Sequence, residues 1–403
     1  FMGQSRQAEH RALIAWLLMQ VNAHEVDAVL IAGDIFDTGA PPSYARELYN
    51  QLIAQLHQAG VALLVLGGNH DSVSVLDESR DLLRHLGTLV IASTGAPQQH
   101  AVTLPLRASG EPGCIVCALP FIRARDVQQS QAGQSAHDKQ LALQAAIQST
   151  YQQVYEAALA QQAALLQSLG HRLPIIATGH LTTVGASSSE SVREIYVGTL
   201  EAFPTNAFPP AHYIALGHIH QPQKVGGLEH IRYSGSPIAL GFDEARQTKQ
   251  VLLVDVGEDG LQAVTPLPIP AFQAMATIRC SLAELPDALK KIAESAHPQS
   301  ATWLDITIEE DDYLADLPAR VQALAEGLPV QVLRIKRQRG TAAAQLQSAA
   351  MESLDDLTPL EVFARRLAQE ALEPPMQQAL TERYQDVVRA VTAPTPKCFK
   401  ARR

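Results

Sequence analysis

Aspartate, asparagine and histidine recur along this chain in one setting: an apolar run breaks at glycine and a polar side chain follows at once. Asp34 stands after Gly33, Asn69 and His70 after Gly68, His180 after Gly179, and His218 with His220 after Gly217. A carboxylate, an amide oxygen and imidazole nitrogens are hard to borderline donors, suited to Mn, Fe or Zn and unlike a thiolate site. A carboxylate can also bridge two cations. Two ions about 3.5 to 4 Å apart clamp the oxygens of a phosphate during in-line displacement, so phosphoester hydrolysis is the chemistry these residue types point to. One Gly-His alone would carry little weight, because the chain has 14 histidines, and those in helical stretches, such as His57 and His85, read as surface or satisfied core residues. An ordered series of such junctions is not explained by packing. On a strand, His218 and His220 would share one side, since side chains alternate with period two.

The elements that must position these residues are legible as apolar runs. Leu13, Ile14, Leu17, Leu18 and Val21 recur at helical spacing, and the run Ala28-Val29-Leu30-Ile31-Ala32 then stops at Gly33 and Asp34. The cycle repeats with Tyr44, Leu48, Leu52, Ile53 and Leu56, followed by Leu63-Leu64-Val65-Leu66 and the break Gly67-Gly68-Asn69-His70-Asp71. Further strands are expected at 88–92, 114–119, 174–178, 213–216, 231–233 and 251–254, with one or two long helices in the Ala, Gln and Leu-rich stretch 138–168. Helices alternating with short buried strands predict an α/β layered fold, in which ligands bind at the carboxyl ends of strands.

Composition narrows the class. The 403 residues are enough for two or three domains, and no apolar run approaches the roughly 18 residues of a membrane span. Four cysteines cannot form a disulfide framework, and Cys114 and Cys117 read as part of a buried strand. Low cysteine use and an N-terminus without signal character point to the cytoplasm. The net charge of −10 repels polyphosphate as a whole, so a nucleic-acid role must rest on metal ions, local patches or a partner. The basic clusters Arg334, Lys336, Arg337, Arg339 and Lys397, Lys400, Arg402, Arg403 read as solvated faces.

Residues 266–270 carry three prolines in five positions and mark the first expected boundary, which makes 1–270 the catalytic domain. Residues 271–340 follow the order β-α-β-α-β and form a small capping domain. Residues 341–403 read as helical only: Thr358, Pro359 and Glu361 match a capping box, followed by Phe363, Leu367 and Leu372 on one helix and Leu380, Tyr384 and Val388 on another.

The strings Gly33-Asp34-Ile35-Phe36-Asp37, Gly68-Asn69-His70-Asp71, Gly179-His180 and Gly217-His218-Ile219-His220 resemble the second to fifth phosphoesterase motifs of the calcineurin-like metallophosphoesterases. Asp37-Thr38-Gly39, the stretch from Ala177 to Ala186 (ATGHLTTVGA) and Tyr233 to Pro237 (YSGSP) are similar, more narrowly, to the nuclease subunits of bacterial SbcCD complexes, over nearly the whole chain and thinning after about residue 340. That resemblance implies a four-layer sandwich of two β-sheets flanked by helices, a small α/β capping domain, and a C-terminal helical arm that docks on the coiled coil of the ATPase SbcC. It implies a homodimer, a cytoplasmic, nucleoid-associated location, and a role in DNA repair, recombination and replication. The implied reaction is Mn²⁺-dependent cleavage of DNA, 3′ to 5′ exonucleolytic at duplex ends and endonucleolytic at hairpins and single strands, with Mg²⁺ or Fe²⁺ as alternative metals. By position, Asp34 corresponds to the bridging ligand, Asn69, His180 and His218 to ligands of the second metal, His220 to a ligand of the first, and His70 to the acid that assists the leaving oxygen.

The family also opens with a strand ending in Asp-x-His, which supplies two ligands to the first metal. No such motif precedes Asp34, and residues 5–10 resemble the family just after it, so the expectation is an N-terminally shortened chain with a weakened first site. Two other functions compete with the nuclease: a metallophosphoesterase of small phosphodiesters, which has no evident need of a docking arm, and a catalytically silent scaffold that anchors the ATPase.

Overall fold

The computed structural model describes residues 1–127, 135–187, 202–295, 300–309, 316–338, 363, 378–381 and 383–384. Packing divides the chain into two units, Phe1–Ile308 with Leu314–Lys336, and Glu309–Tyr313 with Arg337–Arg403.

The first unit is layered. Strands β1 (Ala28–Ile31), β2 (Ala62–Leu66) and β3 (Thr88–Ile91) form a parallel three-stranded sheet in that order. Strands β4 (Ala101–Pro105), β5 (Pro112–Cys117), β6 (Ile175–His180), β7 (Tyr213–Gly217), β8 (Gln223–Val225) and β9 (Leu228–Tyr233) form a six-stranded sheet of order β4-β5-β6-β7-β9-β8. Period-two alternation divides each central strand between two cores. Leu64 and Leu66 of β2 meet Leu104, Val116 and Ala118 of the larger sheet, while Leu63 and Val65 face Ile53 and Leu56 of the helix Ser43–Gln58. On the far side, Ile115, Cys117 and Leu119 pack on Leu143, Ile147, Tyr151, Val154 and Ala158 of the helix Ala136–Leu169. These residues recur every three or four positions, which gives that helix one apolar stripe. It starts at a capping box between Ser135 and Asp138 and stops at Gly170, whose φ of 79° makes the left-handed cap. The result is helix, sheet, sheet, helix, the expected sandwich, and Cys117 lies in its core as a free thiol.

The proline-rich stretch is strand up to Pro268, where β11 (Gly260–Pro268) pairs antiparallel with β10 (Gln250–Gly257) as far as Gln250 opposite Pro268. A two-stranded ribbon tolerates prolines because each strand has an outer edge where no N–H is needed. Arg334, read as a solvated residue, instead makes a two-pronged pair with buried Asp305 at 2.8 and 2.6 Å and stacks over Phe242.

The stretch expected as a cap holds β12 (Met275–Cys280), the helix Leu285–Glu294, β13 (Thr302–Glu309), the helix Leu317–Ala325 and β14 (Val330–Gln338), in the expected order. It has a core of its own, centred on Leu285, Leu289, Leu304, Ile306 and Val321.

In the second unit, Phe363 and Tyr384 stack ring on ring, with centroids 3.9 Å apart and 3° between planes. One residue from each of the two stripes expected to face a partner thus meets the other. Leu380 is exposed. Thr358, Pro359, Glu361, Leu367, Leu372 and Val388 lie outside the described residues.

Candidate metal centre

The carboxyl ends of β1, β2, β6 and β7 bring Asp34, Asn69, His180 and His218 together, His180 as the last residue of β6 and the other three in the loops that follow their strands. Their approach requires glycine. A Cβ on Gly68 would collide with the Asp34 carboxylate and backbone nitrogen, one on Gly33 with the His180 ring, and one on Gly217 with the Ala32 carbonyl. The backbone is also held in unusual conformations, with φ of 53° at Asp34 and 90° at His218, the kind of strain that survives only where its surroundings enforce it.

Asp71 supplies part of that enforcement. Its buried carboxylate accepts from the N–H groups of Ile35 (3.1 Å), Phe36 (3.0 Å) and Gly68 (2.8 Å), which locks the first two loops to each other. Burial raises its pKa against the lowering effect of those N–H groups. Tyr233, from the YSGSP string, does the same for the third loop: its hydroxyl donates to the Leu181 carbonyl at 2.6 Å.

The donor atoms converge. Asn69 Oδ1 lies 2.8 Å from His180 Nε2 and 3.2 Å from His218 Nδ1, and His180 Nε2 lies 3.1 Å from Asp34 Oδ2. His180 Nδ1 is 2.8 Å from the Ala32 carbonyl, which only accepts, so the ring proton sits on Nδ1 and Nε2 offers a lone pair. Lone pairs from a carboxylate, an amide and an imidazole thus point at one another, an arrangement that needs a proton or a cation among them. Atoms bound to one ion at roughly 2.1 Å lie about 3 Å apart, which is the spacing observed. His218 Nε2 is buried without a hydrogen-bond partner among the described residues. The residues present therefore fit a divalent metal.

The protonation states carry the same message. Burial opposes ionisation of Asp34, yet the hydrogen bond and charge of His180, together with the His70 N–H, outweigh it and bring the carboxyl down to about 2. Burial also opposes charging of His180, but Asp34 reverses this and raises its pKa. Burial, with the neighbouring charge of His180, pushes His218 down to about 3 and keeps that imidazole neutral. A metal-free pocket thus recruits one proton where a cation would go.

Two expected residues stand apart from this cluster. His70 donates its backbone N–H to Asp34 Oδ1 (3.0 Å), but its ring Nδ1 is 2.8 Å from the Asp37 carbonyl. His220 Nδ1 lies 2.9 Å from Glu244 Oε1. The strand rationale for His218 and His220 does not hold, because β7 ends at Gly217 and the left-handed turn at His218 follows it. His218 then faces His180, with ring centroids 5.4 Å apart, and Ile219 between the two histidines is buried.

Sequence reasoning missed Asp71, Glu244, Lys249 and Arg123. The first was readable as the last residue of Gly-Asn-His-Asp. Arg123 stacks over Phe121 (5.7 Å), whose ring meets His180 edge-on at 6.3 Å, and donates to the Asp71 carbonyl at 3.4 Å. It is a half-buried cation beside the pocket.

Residues 7–222 match the calcineurin-like phosphoesterase family, and residues 271–371 match the Type 5 capsule protein repressor C-terminal domain. The chain is 48% identical to SbcD, the D component of the nuclease SbcCD, of Escherichia coli K12 over 380 residues, 94% of this chain and 92% of that protein. It is 32% identical to the protein of the same name from Rhodobacter capsulatus, over 90% of each chain, and 28% identical to that of Bacillus subtilis over 63% of this chain and 62% of the relative. Among solved structures, a beta-glucosidase from Exiguobacterium marinum covers 81% of this chain and 77% of its own with a TM-score of 0.19 and 9% identity, too little to bear on the fold.

Proposed function

The chain belongs to the calcineurin-like phosphoesterase family and, within it, to the SbcD group of SbcCD nuclease components, and from that premise we propose that it is the metal-dependent nuclease subunit of an SbcCD-type complex, hydrolysing phosphodiester bonds of DNA. The observation that carries the reading is the meeting of Asn69 Oδ1, His180 Nε2, His218 Nδ1 and Asp34 Oδ2 at hydrogen-bond distances without enough protons to share.

Asp34, Asn69, His180 and His218 would hold one divalent ion, and Asp34 with His220 would contribute to a second. Bound ions supply Lewis-acid polarisation of the phosphate and a nucleophile at neutral pH. The chain's own part is orientation and proton handling. His70 has Nδ1–H committed to the Asp37 carbonyl, so as an imidazolium it would pass its Nε2 proton to the departing 3′-oxygen and be left as the Nδ1–H imidazole. Arg123 offers a guanidinium fork to a phosphate next to the scissile one. Such local cations matter because the chain as a whole, at −10, repels DNA.

The finer reading is a Mn²⁺ enzyme with Mg²⁺ or Fe²⁺ as alternatives, acting 3′ to 5′ from duplex ends and endonucleolytically at hairpins and single strands. It works as a cytoplasmic, nucleoid-associated homodimer with SbcC. Domains of 1–270, 271–340 and 341–403 go with that reading, the last docking SbcC through apolar positions such as Leu380. Among the described residues no helix is long and apolar enough to cross a membrane. The test is cleavage of a linear duplex and a hairpin with Mn²⁺ in the presence of SbcC. Activity that disappears in Asn69→Ala supports the reading, and activity untouched by that substitution overturns it. Deleting residues 358–403 should leave a folded, metal-binding chain that no longer co-purifies with SbcC. Retained co-purification would remove the docking role.

A further inference from the structure

Beside His220 lies a polar group that takes no part in the Asn69 pocket. Glu244 ends the short 3-10 turn Phe242–Glu244 and is fully buried. Its Oε1 is 2.9 Å from His220 Nδ1, and its Oε2 accepts from Lys249 Nζ (2.7 Å), Ser236 Oγ (3.2 Å) and the Leu240 N–H (3.0 Å). Lys249 is buried as well and also donates to the His220 carbonyl (3.1 Å) and Ser236 Oγ (2.9 Å). Stability alone does not call for this arrangement, since a buried ion pair is often no better than apolar residues of the same volume.

The network is directional. An ammonium and a backbone N–H can only donate, so the Oε2 position must be an acceptor. With Oε2 taken up by Lys249 Nζ, Ser236 Oγ and the Leu240 N–H, the carboxylate presents Oε1 as an acceptor to His220, and the imidazole then carries its proton on Nδ1. The lone pair is left on Nε2. Metal-ligating histidines commonly have their other nitrogen fixed in this way.

We propose that Glu244 is a positioning residue that fixes His220 in the Nδ1–H tautomer and so presents Nε2 as the metal-ligating atom, with Lys249 holding the carboxylate in register. The proposal rests on the reading of His220 as a ligand and deepens it. Glu244→Gln is the informative change. With Lys249 and Leu240 N–H still facing the Oε2 position, the amide oxygen must sit there, and the amide NH₂ turns to His220. It donates to Nδ1 and forces the proton onto Nε2, which a metal must then displace in order to bind.

The test has two readouts on the full chain. Long-range ¹H–¹⁵N NMR of the metal-free protein, with the His220 signals assigned through His220→Gln, reads the tautomer. Titration calorimetry with Mn²⁺ reads affinity without reference to catalysis. Wild type should show Nδ1–H. Glu244→Gln should show Nε2–H and an affinity of the His220-dependent site lowered about 10- to 100-fold. Lys249→Gln removes the register contact but leaves a carboxylate facing Nδ1, so it should keep Nδ1–H and lose clearly less affinity than Glu244→Gln. A wild-type Nε2–H tautomer, an unchanged tautomer in Glu244→Gln, or equal losses in the two variants would reduce Glu244 to a structural residue and overturn the proposal. His220→Gln separates the premise from the inference. If it leaves the Mn²⁺ isotherm unchanged, the ligand reading of His220 fails; if it weakens binding while Glu244→Gln does not, only the positioning role falls.

Discussion

The Asn69 pocket and the His220 loop sit at ends of the same sheets, yet they handle polar burial in opposite ways. Around Asn69 the protein gathers lone pairs from Asp34, Asn69 and His180 and leaves His218 Nε2 buried without a partner among the described residues. Around His220 it supplies the counter-group itself, through Glu244 and Lys249. One site is short of a cation by construction, and the other has its imidazole already oriented. Buried polar atoms left uncompensated cost roughly 1 to 3 kcal/mol each, so such a pocket persists only where a ligand repays the cost. Incomplete satisfaction is thus the more telling sign of a metal position, and complete satisfaction the sign of a support.

The sharpest way to break this comparison is to block the convergence at its backbone. Gly68→Ala places a methyl group against Asp34. Metal-free protein should lose about 3 kcal/mol in urea unfolding and bind no measurable Mn²⁺. Normal binding by this variant would mean that the loops are not held as closely as the pocket needs.

His70→Ala acts on chemistry and spares the pocket, because His70 holds Asp34 through its backbone N–H. Phosphodiester cleavage should fall by roughly 10² to 10⁴ with metal content unchanged. Metal loss in step with activity would make His70 a ligand.

A pH titration of metal-free stability isolates His218. Its folded pKa of about 3 lies below the ordinary histidine value of 6.5, so its contribution is complete above 6.5 and is lost as pH falls from there towards 3. His180 works the other way: its raised pKa gives a contribution present at low pH and lost as pH rises through the folded value. Asp34, lowered from the ordinary 3.8 to about 2, loses its contribution only from about pH 3.8 downward and so touches just the acid end of that window. Thermal melts of wild type against His218→Gln should therefore diverge in slope between pH 6.5 and 3, with the variant less sensitive to acid. Parallel slopes would contradict the neutral, buried state of His218.

The smallest effect is a control. Gly227 has a φ of 74° with nothing within 4 Å of where an added methyl group would stand, so Gly227→Ala should cost only about 1 kcal/mol and leave Mn²⁺ binding intact. A loss comparable to that of Gly68→Ala would show that glycine substitution as such, rather than crowding of Asp34, is being measured.

Much of this was readable in the sequence where one interaction dominates. Apolar runs such as 63–66 announced β2 because both faces of that strand are buried, and the stripe through Leu143, Ile147 and Tyr151 belongs to one long helix. Strands β4 and β8 escaped notice because they are short edge strands without a continuous apolar run. The meeting of Asp34, Asn69, His180 and His218 was legible through their glycines, although strand alternation is the wrong reason for the direction of His218: the turn at that residue sets it. Glu244 and Lys249 could not be found that way. They lie 24 and 29 residues from His220, carry no motif, and meet it only in the folded chain.

If Asp34, Asn69, His180 and His218 form one metal position, Asn69 is its pivot, because its oxygen touches both histidines. Calorimetric titration of Mn²⁺ into wild type and Asn69→Ala, at equal folded fraction by circular dichroism, tests this directly. The tightest binding phase of wild type should be missing or weakened at least about 100-fold in the variant. Superimposable isotherms would contradict the shared metal position.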